Sequence, residues 1–280
     1  MRKNKTLLFM TTHLLVEAVI LEYKKLSKTR GFDCILVVDN TNLHYDVPKK
    51  SPICKLKLFG VNVKCFFFDK KINDDLKLPV LSAHLDKPDF TNVMWANADY
   101  RFYYVRKFLP EYDYYWQFDY DIFCNGKTYK SFLNKYNNLK DDLLIPYFHK
   151  VDRNSGWCWV NGTDWIYGGK PLYSSFFPVC RLSKNAVDFL YEKRVKYGTV
   201  YNENNSKDKK WPFSELFVPT ELMCNGFSCS SITESTIRLT KYNLNEHRFF
   251  ENPDGKLYHP VKCSANPIPI REIDEISFPC

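Results

Sequence analysis

Two carboxylates, Asp119 and Asp121, flank Tyr120 where the aromatic run YDYYWQFDYD (112–121) ends. Acids one residue apart repel each other unless a cation or a hydrogen-bond donor is set between them. Hard divalent ions take carboxylate oxygens, and Mg²⁺ or Mn²⁺ commonly shares one or two of them with substrate phosphates. Gly126 follows and admits a tight turn close to a ligand. Asp-x-Asp alone is a weak motif, and the same pair also serves as the capped end of a strand. A second apolar run, DCILVVDN (33–40), closes on Asp39 and Asn40. Ligands of open α/β sheets gather beyond the carboxyl ends of the strands, so both strand ends are places where chemistry is expected.

The elements that must carry these residues read as alternating strands and helices. Residues 6–11 form a short buried strand, 14–29 an amphipathic helix with Leu15, Val19 and Leu26 on its apolar side, and 33–40 a strand. That spacing is a β-α-β unit and predicts a parallel sheet. Further strands fall at 61–68, 112–121, 143–148 and around 172–180, and a helix over 91–109 stops before Pro110. Ser183 caps a helix with Ala186, Val187, Leu190 and Tyr191 on one face. Residues 197–212 are polar and read as an exposed loop, 214–224 as a helix, and the proline-rich stretch after 240 as an irregular tail wrapped over the domain. No internal repeat and no linker interrupts the 280 residues.

Apolar residues make up 45% of the chain, enough for a proper core, so global disorder is excluded. The aromatic share of 17% suits stacking on sugar faces, although a coding bias towards Phe, Tyr, Asn and Lys accounts for the same composition. The net charge of +8 fits an anionic nucleotide or an anionic membrane face. Without a recognition helix, zinc-finger spacing or RNA-binding motif, nucleic acid is not an expected partner. The ten cysteines are irregularly spaced without a CxxC pair, which argues against structural zinc and for reduced thiols packed as small hydrophobes. His13 and Glu17 interrupt the N-terminal apolar stretch, and no cleavage site follows. The expectation is a cytoplasmic protein, with peripheral contact at the inner membrane.

The run WQFDYDIFCNG, with its aromatic approach and following glycine, resembles the Asp-x-Asp segment of GT-A-fold glycosyltransferases. The resemblance spans most of the chain, with residues 112–126, 172–183, 213–221 and 257–262 its clearest stations, and includes bacterial enzymes that build surface polysaccharide or lipooligosaccharide. It implies a GT-A-like (Rossmann-like) α/β fold, with a mostly parallel central sheet flanked by helices and an irregular C-terminal extension. It implies a nucleotide-binding half over 1–126, an acceptor-side half over 127–240 and a tail, 241–280, that completes the metal site. Asp119, Asp121 and His259 would hold Mn²⁺ or Mg²⁺ bridging a nucleotide-diphosphate sugar, by default a UDP-sugar, and Lys262 would contact the diphosphate. Asp39, Asn40, Asn97 and Arg101 would bind the donor, with Asp119 positioning the ribose or sharing the metal. Glu215, one residue after a Ser cap, matches the base of an inverting enzyme, with Glu221 in reserve. The acceptor would be a glycan or glycolipid hydroxyl.

Each site residue also has a plainer reading. His259 fits a packed surface residue, Glu215 a helix-start acid favoured by the dipole, Asp39 a turn cap and Arg101 an exposed arginine. Arg181 is either structural or lines the acceptor cleft. Trp157, Trp159 and Trp165, among Gly156, Gly162, Gly168 and Gly169, read as a mobile loop over a sugar or as a buried aromatic cluster. Two rival functions remain. A sugar-phosphate nucleotidyltransferase is disfavoured because Thr11-Thr12-His13-Leu14 lacks the glycines of a phosphate loop. A non-catalytic carbohydrate-binding protein on the same fold is the other.

Overall fold

The structure, a computed structural model, describes residues 4–43, 52–82, 90–203, 209–239, 242–243, 253–262 and 274–277. The chain opens on β1 (Thr6–Thr12), α1 (Glu17–Ser27) and β2 (Asp33–Asp39). β1 and β2 pair in parallel, from Leu7 against Asp33 to Thr12 against Val38. Their near-continuous apolar sequences are those of strands covered on both faces. α1 begins at Glu17 rather than residue 14, with the acid in its first turn and Lys24 and Lys25 in its last, where both charges suit the helix dipole. β3 (Ile53–Leu58) and β4 (Val61–Phe68) form an antiparallel hairpin. The sequence reading anticipates only β4, because the apolar residues of β3 alternate with Lys55 and Lys57 and make no continuous run.

The helices α2 (Lys71–Asp75), α3 (Phe90–Ala96) and α4 (Tyr100–Phe108) follow. The single helix expected over 91–109 is therefore two. At the break, the Asn97 amide donates to the Val93 and Leu81 carbonyls, both at 2.8 Å, so a side chain serves carbonyls at the end of α3. Next come β5 (Tyr114–Asp119), β6 (Phe123–Cys124), α5 (Lys130–Tyr136), β7 (Leu143–Pro146), β8 (His149–Val151) and α6 (Asp164–Tyr167). The strand expected around 172–180 is two, β9 (Leu172–Ser174) and β10 (Val179–Ser183). Ser183 does cap the next helix: its Oγ accepts the Ala186 N–H at 3.2 Å.

That helix, α7 (Lys184–Glu203), continues through residues expected to be loop. Tyr197 and Tyr201, one turn apart, explain the extension. Tyr197 bonds Glu221, and Tyr201 meets the Trp165 and Trp211 rings edge-on. The chain then runs through α8 (Ser214–Cys224), β11 (Cys229–Ile232), β12 (Ile237–Arg238), β13 (Tyr242–Asn243), β14 (Leu257–Tyr258), β15 (Val261–Lys262) and β16 (Asp274–Ser277). The described part of the expected irregular tail thus pairs as short strands.

Two compact units divide the chain, and neither is contiguous. The first comprises Met1–Asp69, Glu111–Leu139 and Thr233–Cys280, the second Lys70–Pro110 and Lys140–Ile232. These boundaries do not coincide with the divisions at 126 and 240. In the first unit the strands run β5-β1-β2-β4-β3-β16. β5, β1, β2 and β4 are parallel, and the hairpin and β16 add antiparallel strands at one side. α1 packs on β1, β2 and β4. In the second unit β11 pairs with β7 in parallel and β10 with β7 antiparallel, while α7 packs against α4, α8 and β10. The fold is α/β with a mostly parallel principal sheet flanked by helices. Among the described residues, no helix is long and apolar enough to cross a membrane.

Candidate functional site

Asp121 follows β5 in the first unit, in a turn closed by the Ile122 N–H on the Asp119 carbonyl. Immediately after it, β6 pairs antiparallel with β14, Phe123 opposite Tyr258 and Cys124 opposite Leu257. The Val261 N–H donates to the Asp121 carbonyl at 2.9 Å, and the Asn125 N–H to Lys256. Backbone pairing thus carries His259 and Lys262 to Asp121 from far along the chain. His259 Nε2 lies 3.3 Å from Asp121 Oδ1, and Lys262 Nζ donates to Oδ2 at 3.1 Å. Asp121 is buried, which by itself would raise its pKa. The hydrogen bonds and charges of His259 and Lys262 outweigh that and hold it below the usual carboxylate value. A Cβ at Gly126 would meet the Gly255 Cα at 3.4 Å, so the returning backbone packs against this glycine at contact distance.

Asp119 ends β5 in register with Thr11 on β1. Its Oδ1 accepts hydrogen bonds from Thr11 Oγ1 at 2.8 Å and Gln117 Nε2 at 3.2 Å. Tyr120 meets the His13 ring edge-on at 4.7 Å. Asp39 accepts the Thr41 N–H at 3.0 Å, the turn-cap geometry, and the Asn40 N–H goes to the Phe68 carbonyl. A positioned segment also backs the acidic turn. The buried Glu22 of α1 accepts the Cys124 N–H at 2.8 Å and pairs with Lys25 at 2.7 Å, and Lys25 donates to the Cys124 carbonyl.

Among the described residues no three His, Cys, Asp or Glu side chains group closely enough to hold a metal by themselves. Asp119, expected as a third metal ligand, is instead grouped with Thr11 and Gln117. Asp121 and His259 are what remains, an oxygen and a nitrogen donor 3.3 Å apart. That set fits an ion whose other positions are filled by phosphate oxygens and water, as Mg²⁺ and Mn²⁺ prefer, rather than an all-protein cage.

The second unit holds the other expected residues. Glu215 lies in the first turn of α8, but Ser214 is not its cap: Phe213 precedes the helix, and the Ser214 hydroxyl is buried without a hydrogen bond. Burial raises the Glu215 carboxyl to a pKa of about 7, against the opposing hydrogen bonds of the Phe177 N–H and Trp159. Glu221 is held by the Tyr197 hydroxyl at 2.9 Å and Lys193 at 3.7 Å, a structural assignment. Asn97 is fully buried, and its amide is engaged by Leu81, Val93 and the Trp211 indole, so it belongs to the core rather than to a donor site. Arg101 is half-buried on α4. Arg181 is buried and donates to the Asp141 carbonyl. The tryptophan segment is a packed cluster. Trp159 stacks on Phe213 at 3.9 Å and 4°, Trp157 packs in an apolar group around Leu216, and Trp165 donates to the Lys210 carbonyl.

No family model matches the sequence, and no curated protein matches it. Among solved structures, the chain is similar to mouse xyloside xylosyltransferase 1 in its apo form, with 13% identity, a TM-score of 0.47, and coverage of 95% of this chain and 99% of that one. It is also similar to a glycosyltransferase involved in glycosylation of the major capsid of PBCV-1, with 9% identity, a TM-score of 0.39 and coverage of 94% of each chain. The galactosyltransferase LgtC in complex with donor and acceptor sugar analogs aligns at 10% identity and a TM-score of 0.41, over 89% of this chain and 79% of that one.

Sequence reasoning misses Thr11, Gln117, Glu22 and Lys25. Thr11 lies in the stretch read only for its lack of glycine. Its signal is the parallel pairing of β1 with β5, which puts it beside Asp119. Glu22 and Lys25 read as ordinary helix charges, since nothing in their spacing says that Cys124 is their partner.

Proposed function

We propose that the chain is a metal-dependent glycosyltransferase of the GT-A type, moving a sugar from a nucleoside-diphosphate sugar to a glycan or glycolipid hydroxyl. One observation carries the reading: Asp121, His259 and Lys262 meet at the carboxyl end of a parallel strand, the rim where α/β sheets take their ligands. A buried carboxylate with an imidazole and an ammonium group is the chemistry a diphosphate and a shared divalent ion need. Asp121 and His259 would hold the ion, which supplies positive charge to the diphosphate as the bond to the sugar breaks. Lys262 places a second fixed charge where negative charge grows on the leaving group. Asp119, whose Oδ1 accepts from Thr11 and Gln117, would position the ribose or share the metal. Glu215, with a pKa of about 7, takes the acceptor hydroxyl's proton if configuration is inverted. In a retaining reaction the leaving phosphate accepts it.

A thermal-shift and calorimetry screen of UDP, GDP and CMP, each with and without Mn²⁺, tests the reading, because a ligand that binds only the folded state raises its melting point. The expected result is stabilisation by one diphosphate, dependent on Mn²⁺ and abolished by Asp121→Ala or His259→Ala. A matching Mn²⁺-dependent hydrolysis of the corresponding nucleotide sugar excludes the purely carbohydrate-binding alternative. Folded protein that responds to no nucleotide would overturn the proposal.

A further inference from the structure

The β3–β4 hairpin of the first unit carries features that neither its own stability nor the proposed reaction uses. Its two-residue turn is Phe59-Gly60, both in the left-handed region, with φ of 48° and 70°. This is the turn that matches strand twist, and its first position normally holds Asn, Asp or Gly. Phe59 takes that strained place while remaining 43% exposed, so core burial does not account for it. Along the strands, Cys54, Leu56, Leu58, Val61, Val63 and Cys65 are buried on one face. The other face presents Lys55, Lys57, Asn62 and Lys64. Lys55 lies directly opposite Lys64 in the ladder, and like charges at that spacing repel.

Lysines on strands often guard a bare sheet edge. That explanation fails for β3, whose outer side pairs with β16, Asp274 in register with Lys57 and Ser277 with Lys55. Lys55 and Lys64 face each other across the β3–β4 ladder. An apolar ring at a hairpin tip, beyond a basic strand face, is complementary to a surface with negative charge outside and hydrocarbon beneath. A soluble anionic polymer would satisfy the lysines but gives no role to the exposed ring.

We propose that this hairpin docks the protein on an anionic lipid bilayer, with Phe59 entering the headgroup boundary and Lys55 and Lys64 paired to lipid phosphates. The proposal does not depend on the reaction assigned above. Co-sedimentation of the full chain with vesicles of equal parts phosphatidylglycerol and phosphatidylcholine, and with phosphatidylcholine alone, tests it. Binding is expected to the anionic vesicles only and to weaken with salt. Lys55→Gln with Lys64→Gln lowers the partition coefficient on the order of 30-fold, as expected for two basic groups at such a surface. Phe59→Asn, which suits the left-handed turn, lowers partition while the melting temperature stays level or rises. Phe59→Trp shows a blue shift of its emission on the anionic vesicles. Melting temperature and the nucleotide-dependent thermal shift, followed on every variant, separate lost docking from lost folding or a lost nucleotide site. Failure of the wild-type chain to bind anionic vesicles, equal binding to neutral ones, or unchanged partition in folded Lys55/Lys64 and Phe59 variants would overturn it.

Discussion

Burial without a countercharge raises the Glu215 carboxyl to a pKa of about 7. From the ordinary value of 4.5 up to about 7, the folded chain therefore keeps a proton on Glu215 that the unfolded chain has released. Its protonated form is fully present below the lower pH, and the associated stability is lost as pH rises through the upper one. Glu215→Gln should flatten that slope and gain on the order of 2 kcal/mol above neutrality. Urea melts at about pH 5 and about pH 9 measure it, and equal losses with pH in both proteins would discard the assignment. If Glu215 is also the base, kcat of the wild type rises through about pH 7, and Glu215→Gln lowers kcat on the order of 100-fold or more with little change in KM. At this scale the sequence offers Asp121, His259 and Lys262 by type and order, and the structure brings their side chains together. The proton chemistry of Glu215 was not legible there, because its burial, and the Phe177 N–H and Trp159 hydrogen bonds that oppose the rise, come from folding and leave no local pattern.

The helix that presents Glu215 carries a proline in its interior, Pro219. Proline lacks the N–H that would otherwise bond the carbonyl four residues back, and that carbonyl belongs to Glu215. Ser175 supplies the missing donor, its Oγ on the Glu215 carbonyl at 3.1 Å. Thr220 continues the grip, exchanging hydrogen bonds with the Tyr173 N–H and carbonyl. Ser175→Ala should then cost about 1–2 kcal/mol by orphaning the carbonyl. In a Pro219→Ala background the helix supplies its own donor, and the same change should cost about 1 kcal/mol less. A double-mutant cycle by urea denaturation checks this; strict additivity would show that Ser175 does not stand in for the lost N–H. The bounds of α8 were legible from its sequence, but the end of α7 was not. Residues 197–203 look polar until Tyr197 and Tyr201 are seen to pack on Glu221, Trp165 and Trp211. β3 escaped notice for a related reason, because lysines interrupt its apolar alternation.

For the whole molecule, division into compact units does not follow order along the chain. Segments ending near 126 and 240 look like successive halves and a tail, yet each compact unit collects separated stretches, and residues 253–262 return to the acidic turn of the first. Long-range backbone pairing leaves no local pattern, so it is invisible until the strands are placed. The second unit is organised about one fully buried ion pair: Arg194 makes two hydrogen bonds to Asp99, at 2.8 and 2.9 Å, and one to the Pro212 carbonyl. Its guanidinium sits 3.7 Å from the Phe217 ring centroid. Removing one member of such a pair strands a charge in the core at a cost of about 3–5 kcal/mol, whereas replacing both with apolar groups costs much less. Arg194→Met should therefore lower the urea midpoint by on the order of 1–3 M, and adding Asp99→Leu should recover part of the loss. The tryptophans make this readable, since Trp95, Trp157, Trp159, Trp165 and Trp211 belong to the second unit and only Trp116 to the first. Emission thus reports chiefly on the unit that carries the pair. A midpoint unmoved by Arg194→Met would mean that the pair contributes no more than an exposed one, and that the aromatic packing around it holds the unit without help from the charge.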